Sequence, residues 1–172
     1  MNIKLRLLEE SHTDELYKFE VENRDFFEKI LPSRGSEYYD INNFRKIQKE
    51  LVEEQKDELV YMYLIFDEFE NLIGRINLVS VVRGDINKAE LGYRIAEKYQ
   101  GKGYGKKAVE LILEYAYKVH NLHMIEAGTA VDNVGSQIVL IKNGFEFLDR
   151  VKNVVEINGQ WKDGINFVKK LR

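Results

Sequence analysis

The segment Tyr99-Gln100-Gly101-Lys102-Gly103-Tyr104-Gly105-Lys106-Lys107 sets three alternating glycines among lysines, a pattern suited to holding an anion. Without Cβ atoms the backbone can curl tightly there and present its N–H groups. The segment follows a β-rich run that ends near Ala96 and precedes a helical pattern that is established by Ala108. Its amides would therefore point the same way as the unsatisfied donors of a helix N-terminus, whose dipole also favours negative charge. A pyrophosphate is the natural guest, with Lys102, Lys106 and Lys107 able to neutralise it. Two other anion-binding turns fit poorly. A P-loop needs G-x-x-x-x-G-K-[ST], whereas Gly101 to Gly105-Lys106-Lys107 is one residue too short and offers no hydroxyl for magnesium. The dinucleotide fingerprint G-x-G-x-x-G is met by Gly101 and Gly103 but puts Lys at position 106, and Asp132 lies about 30 rather than about 20 residues downstream.

The flanking elements must position this turn. Ile3–Leu8 alternates like a strand, and Ser11 offers an N-cap for a helix through Leu16 and Phe19 to about Asn23. An apolar connection through Phe26, Phe27, Ile30, Leu31 and Pro32 leads to a helix over Ser36–Glu54, with Ile41, Phe44, Ile47 and Leu51 at helical spacing. Leu59–Phe66, Leu72–Val82 and Lys88–Ala96 read as strands, with Gly92 marking a bulge or a close backbone approach. Ala108, Leu111, Ile112, Tyr115, Ala116 and Val119 form a helical stripe. Met124–Val131 is the next strand, and Ser136–Asn143 is a short helix stopped by Gly144, with Ser136 as a candidate N-cap. Phe145–Ile157 and Gln160–Lys170 form a hairpin across Asn158-Gly159, a type I′ turn signal. Strand–helix–strand over Lys88–Val131 implies one parallel pair with a right-handed crossover. The expected fold is thus an α/β (α+β) domain, with a mixed, mostly antiparallel central sheet and helices on both faces.

The bulk numbers agree with one domain over residues 1–172, with no repeat, linker or low-complexity tract. Apolar residues make up 44% and charged residues 32%, ordinary for a soluble protein, and no apolar run reaches the length of a membrane span. The N-terminus lacks a signal-peptide core, so a cytoplasmic location is expected. With no cysteine there is neither a disulfide framework nor a thiolate metal site, and His120 and His123 lack a partnered ligand set; no metal is expected. A net charge of −3 speaks against non-specific nucleic-acid binding and is compatible with a cationic amine.

The turn also reads Gln100-x-x-Gly103-x-Gly105. It is flanked by Glu90-Leu91-Gly92-Tyr93-Arg94-Ile95 upstream and by Asp132-Asn133-x-x-Ser136 and Asn143-Gly144-Phe145 downstream. This combination strongly resembles the GNAT acetyltransferase superfamily, and within it the RimJ/RimL branch, which acetylates N-terminal amines of ribosomal proteins. The resemblance extends over nearly the whole chain, from Asn23-Arg24-Asp25-Phe26-Phe27 to Asn158-Gly159-Gln160-Trp161-Lys162-Asp163. It implies a splayed parallel strand pair, with acetyl-CoA as co-substrate and its pantetheine paired along Gly92–Ala96 like an added strand. The implied cofactor-binding set is Tyr93, Arg94 and Ile95, the turn residues Gln100, Gly101, Lys102, Gly103, Tyr104, Gly105 and Lys106, and Asn133.

Acetyl transfer requires a neutral amine, a polarised thioester and a proton for the leaving thiolate. A free α-amine, with a pKa of about 7.7–8.0, is roughly a tenth neutral at pH 7 and asks little of a base. The resemblance offers Glu90 and Glu156 as bases acting through water, each equally readable as a solvated strand residue. Many superfamily members place an acidic tyrosine four residues before the Gly-Phe pair, where this chain has Leu140. Ser136 matches the serine that RimL-like enzymes offer near the thiol. Phe26, Phe27, Leu31 and Trp161 could line the acceptor cleft or simply complete the core. The expected acceptor is a protein N-terminus. A small amine such as a polyamine, amino sugar or amino acid is the alternative, and a non-catalytic acyl-CoA-binding module is a third reading. Neither nucleic acid nor membrane is an expected partner, and a homodimer is compatible with the pattern.

Overall fold

The computed structural model describes residues 1–172. Strand β1 (Ile3–Leu7) is followed by helices α1 (Thr13–Glu22), α2 (Arg24–Ile30) and α3 (Ile41–Lys56), then by strands β2 (Tyr61–Asp67), β3 (Leu72–Val82) and β4 (Lys88–Ile95). Helix α4 (Tyr104–Lys118), strand β5 (Met124–Ala130), helix α5 (Val134–Lys142) and the hairpin β6 (Glu146–Ile157)–β7 (Gln160–Lys170) complete the chain. The strands form one sheet in the order β1-β2-β3-β4-β5-β7-β6, antiparallel throughout except for the parallel pair β4–β5. This is the mixed, mostly antiparallel sheet with one parallel pair that the order of elements implied.

Strand β2 is buried along its whole length, because both faces of the sheet are covered. Tyr61, Tyr63 and Ile65 pack into a cluster beneath α4, which contributes Ala108, Val109, Ile112, Leu113 and Ala116. Met62, Leu64 and Phe66 alternate to the other face and meet Leu16, Phe19, Phe27 and Phe44 from α1, α2 and α3. Strand periodicity thus divides one sequence run between two cores. Each large side chain buried this way contributes on the order of 1.5–3 kcal/mol.

Local details depart from the sequence reading in physically clear ways. The stretch 24–30, read as part of an apolar connection, is helix α2; the spacing of Phe26, Phe27 and Ile30 puts them within one turn's reach of each other. Ser11 is not an N-cap: a 3₁₀ turn over Glu10–His12 precedes α1, and His12 Nδ1 accepts from the Glu9 N–H at 3.0 Å. The long second helix starts at Ile41 rather than Ser36, because the Asp40 carboxylate caps it by accepting from the Asn43 N–H at 3.0 Å. Gly92 forms no bulge. The β3–β4 ladder runs straight through Asn77↔Gly92 and breaks instead between Val79 and Val82. The close approach falls on Gly74, where a Cβ would lie 2.6 Å from the Arg94 carbonyl. The Asn158-Gly159 turn has φ of 52° and 77°, as a type I′ turn requires.

His120, just beyond α4, stacks on Tyr61 with ring centroids 3.6 Å apart, and its Nε2 meets the Tyr63 hydroxyl at 2.6 Å. Burial, with the nearby Arg83 guanidinium, pushes its pKa from the usual 6.5 down to about 4. The folded protein therefore binds fewer protons here than the unfolded chain between these values, and the stability that neutral His120 contributes is lost as pH falls from about 6.5 toward about 4. His120→Gln should flatten the decline of Tm across that window. An unchanged slope would assign the decline to other groups.

Candidate active site

The Gly-rich turn stands where the sequence placed it, between β4 and α4. Gly101 and Gly103 have φ of 71° and 85°, a left-handed backbone that side-chain-bearing residues rarely adopt. Gly103 occupies the N-cap position of α4, so no side chain caps the helix. From Gly101 through Lys106 no backbone N–H finds a hydrogen-bond acceptor within the protein. A row of unpaired donors at a helix N-terminus is an anion site by geometry and by dipole. The Gln100 side chain fixes the turn to the preceding strand, its Nε2 donating to the Ile95 carbonyl at 2.7 Å.

The β4–β5 pairing runs only from Lys88↔Met124 to Leu91↔Ala127. Beyond that point the strands separate. The Ala96 N–H donates across to Ile73 of β3 at 2.8 Å, so by alternation the N–H groups of Tyr93 and Ile95 face the gap beside β5. A cleft of about 400 Å³ extends from the turn along this opening, lined by Gln100, Gly101, Gly103, Tyr104, Gly105 and Lys106 at one end and by Tyr93, Arg94 and Ile95 along its wall. Asn133, Ser136 and the outer side chains of α5, Ile138, Val139 and Lys142, form the opposite wall, and Phe27, Ile30 and Leu31 of the α2 region overhang it. A second chamber of about 310 Å³ shares Ile30, Leu31, Tyr93, Asn133 and Ser136 with the first and continues inward past Gly92, Gly128 and Thr129 to the β6–β7 hairpin. The two form one passage, with Tyr93 and Ser136 at its midpoint.

At that midpoint the Tyr93 hydroxyl donates to Ser136 Oγ at 3.2 Å. Burial raises the Tyr93 pKa, with the Ser136 contact acting weakly the other way, so the phenol stays protonated at neutral pH. Ser136 is not the N-cap of α5. Asn133 caps it, its Oδ1 accepting from the Ser136 N–H at 3.2 Å. The Ser136 hydroxyl is therefore free of capping duty, and Asn133 rather than Ser136 carries the structural role. Leu140, where a tyrosine would have been expected, is buried and forms apolar wall in the inner chamber.

Not every candidate residue reaches the cleft. Glu90 is exposed on β4, in register with Glu126 of β5, and Glu156 is exposed on β6 opposite Trp161. Neither carboxylate lines the passage; on β6 it is Val154, Val155 and Ile157 that do. Trp161 is 61% exposed, and Phe26 packs against Phe27 with ring centroids 5.8 Å apart, so neither lines the cleft, whereas Phe27 and Leu31 do. Lys102 Nζ lies 5.9 Å from the Tyr99 ring and Lys107 is engaged by Glu110 at 3.5 Å, and neither lines the cleft, whereas Lys106 does, at its turn end. The Tyr93–Ser136 contact joins residues 43 apart and had no signature in the sequence beyond the two residue types. Thr129, whose buried hydroxyl has no partner, is a further cleft residue that no motif marked.

A family model described as an acetyltransferase (GNAT) domain matches residues 2–146. The chain is similar to a probable N-acetyltransferase, YjcK, of Bacillus subtilis, with 36% identity over 94% of this chain and 90% of that one. It is also similar to the ribosomal protein uS5-alanine N-acetyltransferase of Escherichia coli, with 29% identity over 94% of this chain and 84% of that one. Among solved structures, the ribosomal-protein-S5-alanine acetyltransferase of Vibrio fischeri superposes with a TM-score of 0.92 at 27% identity, covering 99% of this chain and 93% of that one. With the unpaired amides of the turn, the parted parallel strands and these likenesses together, the chain belongs to the GNAT acetyltransferase family.

Proposed function

We propose that this acetyltransferase, a single catalytic domain over residues 1–172, transfers acetyl from acetyl-CoA to a primary amine, and that the amine is the N-terminus of a protein, a ribosomal protein in the first instance. The observation that carries the reading is the unbroken row of unpaired N–H groups from Gly101 through Lys106, opening onto a cleft that leads to a serine hydroxyl. In this reading the row holds the diphosphate, with Lys106 beside it. Pantetheine runs between β4 and β5, accepting from the N–H groups of Tyr93 and Ile95, and Asn133 borders the arm. The thioester lies near Ser136.

The amine nitrogen attacks the thioester carbonyl from the side of Phe27 and Leu31, forming the C–N bond. The tetrahedral oxyanion is stabilised by backbone N–H groups of β4, which are fixed before the reaction begins. As the C–S bond breaks, the thiolate takes the proton of Ser136 Oγ, Ser136 takes that of the Tyr93 hydroxyl, and Tyr93 regains a proton from water, balancing the one the amine releases. The proton from the amine leaves through water. An α-amine near pKa 7.7–8.0 is already about a tenth neutral at pH 7, so no carboxylate needs to stand in the cleft. The exposed positions of Glu90 and Glu156 fit a role for either one only through intervening water.

The acceptor is supported by the likeness to the uS5-alanine enzymes over most of the chain. The test is release of free thiol when the protein meets acetyl-CoA with peptides beginning in alanine or serine, in parallel with polyamines, amino sugars and amino acids. Peptides should turn over faster than the small amines. Faster turnover of a small amine would move the acceptor to that class. Tight CoA binding without thiol release from any amine would leave an acyl-CoA-binding module.

A further inference from the structure

Charge inside the fold is unevenly balanced beside the cleft. Glu20 of α1 is fully buried and meets three guanidiniums: Arg75 of β3 at 2.9 Å, Arg94 of β4 at 3.4 Å and Arg34, from the connection after α2, at 3.9 Å. Glu28, which with this cluster borders Tyr39, is already engaged by Arg24 at 3.2 Å. Three positive charges against one negative leave a surplus of two. Burial alone would raise the Glu20 pKa, but the surrounding guanidiniums outweigh it and hold the carboxyl below its usual range. Arg94 carries the strain: burial and repulsion from Arg34 and Arg75 bring it from the usual 12.5 down to about 10, still charged at neutral pH.

The imbalance has an outlet. Arg75 is wholly enclosed, its Nε is without a partner, and it does not reach the cleft. Arg94, with 12% of its side chain exposed, lies over the Phe27 ring at 4.7 Å and lines the cleft. Phe27 and Leu31 flank it, on the side from which the amine approaches in the reading above. A guanidinium short of counter-charge at the wall of a half-dry cleft binds a carboxylate through charge-assisted hydrogen bonds and repels a second ammonium.

We propose that the acetyl acceptor carries a carboxylate close to its amine and that Arg94, with Arg34 adding charge behind it, recognises that carboxylate. The proposal rests on the amine-acetylation reading and narrows it. A carboxylate can come from an acidic side chain just after the N-terminal residue of a peptide or from the α-carboxylate of a free amino acid. A polyamine, which brings only further positive charge, is the wrong ligand for this wall.

The test uses the full chain with saturating acetyl-CoA and thiol release as readout. The acceptors are peptides with alanine first that differ only by Glu or Gln at the second or third position, alanine against alaninamide, and spermidine. A carboxylate-bearing acceptor should exceed its amide partner in kcat/KM by about tenfold or more, with spermidine the poorest. The peptide pair and the alanine pair tell which source of carboxylate is used. Arg94→Gln should bring the acid-to-amide ratio near unity, and Arg34→Gln, away from the cleft wall, should lower it partway. Equal turnover of acid and amide acceptors by the unaltered protein would overturn the proposal while leaving amine acetylation standing. So would an Arg94→Gln variant that keeps the ratio but binds CoA more weakly, since the surplus charge would then serve the carrier's phosphates. Absence of thiol release with every acceptor would overturn both readings.

Discussion

Gly103→Asp should bind CoA at least about 100-fold more weakly than the unaltered protein and still fold. Residue 103 is the N-cap of α4 with φ of 85°, and the donors in question are the unpaired N–H groups that follow it. An aspartate carboxylate at an N-cap accepts from those same N–H groups. It would occupy the cradle and repel a diphosphate as well. Each charge-assisted hydrogen bond lost costs about 1.5–3 kcal/mol, and losing two accounts for the expected drop. The fold tolerates the change because aspartate is among the residues that enter the left-handed region, at a cost of about 1–2 kcal/mol that the new cap partly offsets. The space at Gly103 is also open, the nearest atom to a built Cβ being the flexible end of Met1 at 3.4 Å. Titration calorimetry with CoA, alongside thermal unfolding, checks both halves. A folded variant with unchanged CoA affinity would remove the diphosphate from this turn.

Ser136→Ala should lower kcat about 100-fold, in the range typical of a lost proton donor, while leaving CoA affinity within about threefold. Ser136 Oγ lies at the midpoint of the passage, its backbone N–H is held by Asn133, and its hydroxyl is not used for capping. Removing the hydroxyl therefore leaves α5 capped and the cleft walls in place. Tyr93→Phe, which deletes the phenol that donates to Ser136 while keeping the ring against α4, should lower kcat by about tenfold. Stopped-time thiol assays give kcat, and calorimetry gives affinity. Parallel losses of kcat and CoA affinity in Ser136→Ala would make the serine a structural contact. An unaffected kcat would leave the thiolate to be protonated by water.

Much of the positioning frame was legible in the residues. Gly101, Gly103 and Gly105 announce a turn that needs left-handed backbone and bare amides, and the helical stripe from Ala108 to Val119 fixes where its helix must lie. The single parallel pair followed from a strand–helix–strand order with no room for a hairpin. What stayed hidden were contacts between distant segments. Nothing near Ser136 shows that Asn133, not the serine, caps α5, since both residue types cap equally well and only the backbone start decides. Glu156 illustrates the limit of period-2 reasoning: Val154, Val155 and Ile157 line the passage while Glu156 stays exposed, because the ladder with β7 is irregular between Val151 and Val155 and simple alternation breaks there. Trp161, its register partner on β7, is exposed with it. The α2 helix was missed because an apolar run beside a proline resembles a core-covering connection, while Phe26, Phe27 and Ile30 also satisfy helical spacing. The Glu20–Arg75–Arg94–Arg34 cluster draws one residue from each of four separate segments and has no linear signature at all.

The central claim, that the amides of the Gly-rich turn grip the diphosphate of acetyl-CoA, is tested most directly by following those amides one by one. In an NMR titration with CoA, the N–H resonances of Gly101 through Lys106 should shift together and saturate at one affinity. Their hydrogen exchange, fast in the free protein because they lack partners, should slow on binding. Saturable CoA binding that leaves these resonances and their exchange rates unmoved would place the carrier elsewhere and contradict the account.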